Sequence, residues 1–148
     1  MNKALPGTMQ GYDFIFDGGT TEHLFNVAQV YDNIIDLLSP GGLLLTVVPN
    51  NNFSGHGIYQ FSPEFFTCIC AGHYGLSLRS LRLATPTTES TCWVDVNGHH
   101  GNGRNETRLE TSEGVYVIAV TERVVGPRKS LVDDSPEQHS YEHIEWVR

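Results

Sequence analysis

The stretch "YDFIFDGGTTEHLFN", Tyr12 to Asn26, joins two patterns of different period. Its first six residues are aromatic or apolar at alternate positions and end at a glycine pair, which predicts a strand. From Glu22 to Leu38, apolar side chains recur at three- and four-residue steps, which predicts an amphipathic helix. Gly18 and Gly19 lie where the period changes, either as a simple turn or as backbone that closely approaches a ligand.

Capping residues mark both ends of this helix. Thr20 or Thr21 can cap its first turn, and Glu22 suits the positive end of the helix dipole. "SPGG", Ser39 to Gly42, ends it, because proline cannot continue the hydrogen-bond ladder and glycine accepts left-handed geometry.

The remaining elements predict a strand–helix unit followed by two more strands. "LLLTVV", Leu43 to Val48, is apolar at every position except Thr46, which predicts a central strand covered on both faces. A second helix is predicted from Pro63 to His73, with Ser62 as its cap. Strands at Leu76–Ala84 and Gly114–Val124 complete the order β-α-β-α-β-β. We expect both helices to cover the sheet, with five residues buried: Ile34, Leu38, Leu45, Val47 and Val117.

Composition excludes several classes of partner. The chain has 148 residues and a net charge of −8, with no basic cluster, which argues against binding to nucleic acid or to an anionic membrane. Its longest apolar run is too short to span a bilayer, and the N-terminus lacks the pattern of a signal peptide, so we expect a cytoplasmic protein. The cysteines Cys68, Cys70 and Cys92 are interpreted as small buried hydrophobes.

Two polar loops follow the carboxyl ends of the first two strands, where ligands bind in open α/β sheets. One runs from Asp17 to His23 and the other from Pro49 to Phe61. The glycine-flanked His56 has no evident core role, and its ring suits proton transfer near neutral pH. Two adjacent histidines in "NGHHG", Asn97 to Gly101, suggest a metal site only weakly, because no third ligand is nearby in sequence.

The segments "YDFIFDGGTTEHLFN" and "IIDLLSPGGLLLTVVPNNNFSGHGIYQFSPEFF" resemble the second half of a class I S-adenosylmethionine-dependent methyltransferase. "CWVDV" and the strand after it resemble an uncharacterised bacterial branch of that family. The resemblance implies an α/β fold, the C-terminal half of a Rossmann-like sheet (strands four to seven), mostly parallel with an antiparallel last strand pair. The strand order would be 4-5-7-6 in the family's numbering, with a partial methyltransferase domain at 1–124 and a polar tail at 125–148. Tyr141, Ile144 and Trp146 of that tail could dock back.

The resemblance also implies roles for particular residues. Asp17, Gly18 and Gly19 would line the cleft for S-adenosylmethionine. His23 or His56 would act as the catalytic base toward a small-molecule or saccharide-type acceptor, with Tyr59 positioning it, and we expect Asp17, His23 and His56 to line one cleft. No metal is expected, because the first acid of the Glu-x-x-Glu-His pattern found in metal-binding relatives is replaced here by Gly19.

Two functions follow from this resemblance. The chain is either a fragment or half of a methyltransferase, expected to be inactive alone because the main cofactor loops are missing, or a non-catalytic half-domain. In both cases the edge of the strand Tyr12–Asp17 is expected to be unpaired and to bind a second copy or a complementing N-terminal half.

Overall fold

The computed structural model describes residues 1–7, 10–70, 73–86, 91–96, 111–134 and 136. Its elements in chain order are strand β1 (Tyr12–Asp17), a short 3-10 helix (Thr21–His23), helix α1 (Val27–Leu37), strand β2 (Leu38–Asn51), helix α2 (Pro63–Ile69) and strands β3 (Leu76–Pro86), β4 (Thr91–Asp95) and β5 (Val115–Arg123). No helix in these ranges is long and apolar enough to cross a membrane. The "NGHHG" motif lies outside the described residues, as do Tyr141, Ile144 and Trp146.

The five strands form one sheet in the order β1-β2-β5-β3-β4. β1 pairs with β2 in parallel, with Phe14 opposite Leu43 and Phe16 opposite Leu45. The other three pairings, β2 with β5, β5 with β3 and β3 with β4, are antiparallel. The parallel pair is joined through α1, as parallel neighbours require a crossover connection.

The predicted fold class, a mostly parallel Rossmann-like half-sheet, is wrong. The connection through α2 does make β2 and β3 point the same way, but β5 lies between them and runs in the opposite direction. Parallel pairing is therefore restricted to β1 and β2, and the sheet is mostly antiparallel. The neighbour order of the four predicted strands is found, and β4 adds a fifth strand, which lies in the sequence between the two segments predicted as the last strands.

Both helices contribute to a single core on one face of the sheet. Val30, Tyr31, Ile34 and Ile35 of α1 and Phe66 and Ile69 of α2 share one cluster with Leu44, Val48, Val117 and Ala119 of the strands. Ile34, Leu38 and Val117 are buried as predicted, whereas Leu45 and Val47 are only half-buried. Alternation along β2 directs these two side chains to the other face, so this strand is not covered on both sides.

The predicted first helix is divided in two. α1 begins at Val27, where the Oδ1 atom of Asn26 accepts a hydrogen bond from the amide of Gln29 at 3.3 Å. Thr20 makes no side-chain cap to the 3-10 helix before it. α2 is also shorter than predicted and ends at Ile69. Leu24–Asn26 therefore forms a break between two helical segments.

The segment after β5 is fixed to α1 through Asp32. The Asp32 carboxylate accepts hydrogen bonds from Arg128 Nη1 at 2.7 Å and from Ser130 Oγ at 2.6 Å, and also from the amides of Leu131 and Val132. Burial alone would raise the pKa of Asp32, but these hydrogen bonds outweigh it and lower the pKa below its ordinary value. Leu131 is buried, so part of the predicted polar tail packs on the domain.

Candidate metal centre

The corner between β1 and the 3-10 helix is held by the buried side chain of Asp17. Its Oδ1 atom accepts hydrogen bonds from the amides of Thr20 at 2.9 Å and Thr21 at 3.3 Å, and its Oδ2 atom accepts one from Thr21 Oγ1 at 2.6 Å. A short acidic side chain that bonds to amides just ahead of it is a common way to fix a turn. Asp17, rather than a threonine, thus starts the helical turn that carries Glu22 and His23.

Glu22 is fully buried at this corner, with a relative exposure of 0%. Neither of its carboxylate oxygens has a hydrogen-bond partner in the part of the chain that the structure describes. Burying an unpaired carboxylate is one of the most costly arrangements in a protein interior. Among the described residues, the groups against it that could carry a compensating charge are His23 and His56.

Two glycines make room for Glu22. Gly19 has a φ of +93°, in the left-handed region, and a Cβ atom there would lie 3.0 Å from Glu22 Oε1. A Cβ atom at Gly57 would lie 2.9 Å from Glu22 Cγ and 3.1 Å from its carbonyl oxygen. The chain thus approaches the glutamate closely from two loops, and any side chain at either position would disturb it.

The second loop is held against the corner by backbone contacts. The carbonyl oxygen of Glu22 accepts hydrogen bonds from the amides of Ile58 at 2.8 Å and Tyr59 at 3.1 Å. The Tyr59 hydroxyl donates to the carbonyl of Phe25 at 2.7 Å. These three bonds fix the position of the loop that carries His56.

The same loop is also closed internally. The amide of Phe53 donates to Gln60 Oε1, and Asn50 Nδ2 donates to the carbonyl of Phe61. The amide of His56 donates to the carbonyl of Phe53, which closes the turn at the tip. A loop braced in this way presents its histidine from a defined position.

His23 and His56 meet at the Glu22 carboxylate. The Nε2 atom of His23 lies 3.5 Å from Glu22 Oε1, and that of His56 lies 3.6 Å from the same oxygen. The two rings are 5.3 Å apart between centroids and tilted by 54°. Both imidazoles are about half exposed, so the cluster has a buried carboxylate on its inner side and two rings on its solvent side.

These distances are longer than typical direct hydrogen bonds and are compatible with ligands that share one metal ion. A nitrogen–oxygen hydrogen bond is about 2.7–3.2 Å long, and a separation of 3.6 Å is outside that range. Two ligand atoms that are each about 2.1 Å from one tetrahedral ion are about 3.4 Å apart. The three candidate ligand atoms of Glu22, His23 and His56 all lie within 4.8 Å of one another.

Other residues predicted for the site have different places. The Tyr59 hydroxyl is bonded to backbone, so its observed contact fastens the loop. Asp17 lines a separate cavity of about 140 Å³ with Thr20, Thr21 and Leu24, and neither histidine lines that cavity. A Cβ atom at Gly18 would lie 2.7 Å from the Phe16 ring. The structure therefore brings His23 and His56 together but leaves Asp17 out of their cluster.

The corner does not fit the expected cofactor role of Asp17, Gly18 and Gly19. The carboxylate of Asp17 is already engaged by three hydrogen bonds from its own turn. Gly18 faces the Phe16 ring, and Gly19 faces Glu22. Binding of S-adenosylmethionine by these three residues remains a prediction from the resemblance.

Two other groups near the core are held in their neutral forms. Burial, and then the negative charge of Asp17, raise the pKa of Tyr31, whose hydroxyl lies near Thr21 and Thr46 without a hydrogen bond of acceptable geometry. Desolvation raises the pKa of Cys70 to about 12, although its surface exposure is intermediate, whereas Cys68 is buried and its Sγ donates to Glu64 Oε1 at 3.8 Å. Cys68 is thus buried as the sequence predicts and Cys70 only partly, while the side chain of Cys92 lies outside the described part.

The sequence places Glu22 on the same loop rim as the histidines but gives it no catalytic or metal-ligand role. A glutamate in the first turn of a predicted helix has a sufficient explanation in the helix dipole, so its pattern did not indicate burial. The available signal was the pair Glu22-His23 with glycines nearby. Only the fold shows that Gly57 comes from the other loop and packs on the same side chain.

Comparison of the chain with protein-family models, with curated proteins and with solved structures finds no match in any of the three. The methyltransferase resemblance therefore stays a prediction, and the function is inferred from the Glu22 site.

Proposed function

We propose that this chain binds a divalent transition-metal ion through Glu22, His23 and His56, and that the ion holds a small oxygen-containing ligand at the protein surface. The observation that carries the proposal is the fully buried Glu22 carboxylate, which lacks a hydrogen-bond partner among the described residues and faces two imidazole nitrogens at 3.5 and 3.6 Å.

The first support is the charge of the site. A carboxylate removed from water needs a compensating cation or a set of donors. The near groups are the two imidazoles, and neither reaches hydrogen-bond distance. A metal ion between the three side chains would supply the missing charge, and the net charge of −8 favours the approach of cations.

The donor set favours particular ions. Two imidazole nitrogens with one carboxylate oxygen suit zinc, iron(II), cobalt(II) and related ions. Magnesium and calcium prefer sites made of oxygen atoms alone. We therefore expect zinc or iron(II) to bind more tightly than magnesium at this position.

The number of ligands indicates what the ion could do. Structural zinc sites are closed by four protein ligands, whereas catalytic sites use three and keep a position open for water or substrate. A metal held by three residues on a half-exposed cluster could polarise and orient an oxygen atom of a bound ligand. The role of the chain's own residues would be to fix the ion and to leave its outer side accessible.

Calorimetric titration with zinc tests the proposal, with magnesium as the comparison ion. We expect one zinc site that disappears in Glu22→Gln, while Glu113→Gln, a change at an exposed glutamate, retains it. Zinc also binds isolated histidines, so the heat that depends on Glu22 is the relevant quantity. Equal zinc binding by both variants would overturn the proposal.

Methyl transfer from S-adenosylmethionine is a separate prediction that rests on the resemblance alone. We propose that this chain by itself binds that cofactor weakly and transfers no methyl group. Titration with S-adenosylmethionine, with and without zinc, tests this point. Micromolar binding in either condition would show that the expected missing loops are not needed.

A further inference from the structure

Strand β1 carries a row of exposed aromatic side chains at the edge of the sheet. Tyr12, Phe14 and Phe16 are 48%, 57% and 60% exposed. They alternate with Asp13, Ile15 and Asp17, so the three rings share the face opposite the helices. In the described part of the chain, β1 pairs with β2 alone, and its other edge has no strand beside it.

Apolar side chains on β2 and β5 continue this row across the sheet. Phe14 is opposite Leu43 and Phe16 is opposite Leu45, and Leu45 is opposite Val120 on β5. At about 150–250 Å² for each aromatic side chain, the exposed parts of the three rings alone amount to about 250–400 Å². A patch of that size is comparable to the largest apolar patch of an ordinary monomer, which is often functional, and about 800 Å² per partner is typical of a stable dimer. The neighbouring leucines and the free backbone edge of β1 add to this area.

The sequence of β1 is complementary to itself in the antiparallel direction. In a two-fold pairing centred on Phe14, Tyr12 would lie opposite Phe16 of the second copy, and Phe14 opposite Phe14. Every pair on the open face would then be aromatic, and such cross-strand pairs stabilise antiparallel sheets. On the other face, Asp13 would lie opposite Ile15, so no two carboxylates would be directly opposed. Centring the pairing on Ile15 would give one aromatic pair fewer.

We propose that two copies of this chain associate through β1, antiparallel and centred on Phe14, to form one continuous ten-stranded sheet. The contact is isologous, so it closes as a dimer and leaves no free β1 edge. This contact involves neither histidine nor Glu22, so it does not depend on the metal centre.

Light scattering after size-exclusion chromatography, over a range of protein concentrations, is the first test. The wild-type chain should move from 16.4 kDa towards twice that mass as concentration rises. Phe14→Glu should stay monomeric, because it places two like charges directly opposite each other. Val125→Glu, at a residue that is 83% exposed and outside the sheet, is the matched control and should associate like the wild type.

Cross-linking tests the register. Under mild oxidation, Phe14→Cys should form a covalent dimer, since opposed residues of antiparallel strands lie within disulfide reach, whereas Val125→Cys should not. Peptide mass spectrometry would show whether the bond joins the two introduced cysteines rather than a native one. A wild-type chain that is monomeric at every concentration would overturn the proposal. So would association that persists in Phe14→Glu, or oxidation that fails to join the cysteines at position 14.

Discussion

The Nε2 atom of His56 lies 3.6 Å from the Oε1 atom of Glu22, although the two residues belong to separate loops. Their approach depends on the hydrogen bonds that the Glu22 carbonyl accepts from Ile58 and Tyr59. The backbone of Glu22 therefore positions the loop, and the side chain of Glu22 faces His56, which the loop carries.

Replacing Glu22 with glutamine should abolish the stabilisation of the fold by zinc. At a free zinc concentration 100 times the dissociation constant, the wild-type free energy of unfolding should rise by about 2.7 kcal/mol. Glu22→Gln should gain nothing, and without zinc it should be at least as stable as the wild type, because a buried unpaired charge has been removed. Denaturant unfolding with and without zinc measures both effects. Equal zinc stabilisation in the two proteins would contradict the prediction.

Each histidine of the cluster should matter for metal affinity and little for stability. His23→Ala or His56→Ala should weaken zinc binding by at least about 10–100-fold. That is the loss seen when a residue that merely hydrogen-bonds to a metal ligand is removed. Because both rings are about half exposed, the metal-free stability should change by no more than about 0.5 kcal/mol.

His73→Ala is the matched control for these variants, since His73 lies outside the cluster. Binding should also weaken as pH falls, because a protonated imidazole cannot coordinate a metal ion. Competition titration with a zinc chelator measures the affinities. If His73→Ala loses as much affinity as His56→Ala, the cluster is not the binding site.

Adding a methyl group at position 57 should damage the site and the fold together. In Gly57→Ala the new Cβ atom would meet Glu22 Cγ at 2.9 Å, so we expect a destabilisation of about 1–3 kcal/mol and weaker zinc binding. Gly7→Ala is the control, because nothing lies within 4 Å of the corresponding Cβ position. Thermal unfolding and zinc titration of both variants test this prediction. Wild-type stability and zinc affinity in Gly57→Ala would show that the loop does not pack closely against Glu22.

Asp32 should make stability depend on pH in the acid range. The pKa of Asp32 in the folded protein is below its ordinary value. The contribution of Asp32 to the free energy of unfolding is therefore complete above the unfolded-state pKa and is lost as pH falls through the folded-state pKa. We expect this stability to be lost below about pH 4. Asp32→Asn should cost about 1–3 kcal/mol at neutral pH and should reduce this acid dependence.

Asp133→Asn is the control for Asp32, since the Asp133 side chain is exposed beside the same segment. Unfolding free energies measured between pH 3 and pH 7 test the prediction. A slope that is the same in Asp32→Asn and in the wild type would contradict it.

Local pattern predicted most elements of this fold. The alternation in Tyr12–Asp17 and the helical spacing up to Leu38 were sufficient to predict a β-α-β unit, and the parallel pairing of Phe16 with Leu45 follows from it. The direction of the remaining strands was not predictable in this way. The place of β5 between β2 and β3, and its antiparallel pairing with β3, were implied only by the resemblance, because no local period records such a long-range choice.

The site shows the same division between local and long-range information. His23 and His56 were predicted because both follow strands whose carboxyl ends are neighbours. Leu45 and Val47 were wrongly predicted to be buried, because a continuous apolar run such as "LLLTVV" does not show which face of the strand a helix will cover. The burial of Glu22 was missed for a related reason, since it depends on Gly57 from the other loop.

A crystal structure of the zinc-loaded protein, with anomalous data collected at the zinc edge, tests the central claim most directly. The metal-centre proposal predicts one strong anomalous peak about 2.0–2.2 Å from Glu22 Oε1 and from the Nε2 atoms of His23 and His56. It would be contradicted by a zinc ion bound elsewhere while this position stays without a peak and either histidine hydrogen-bonds directly to Glu22.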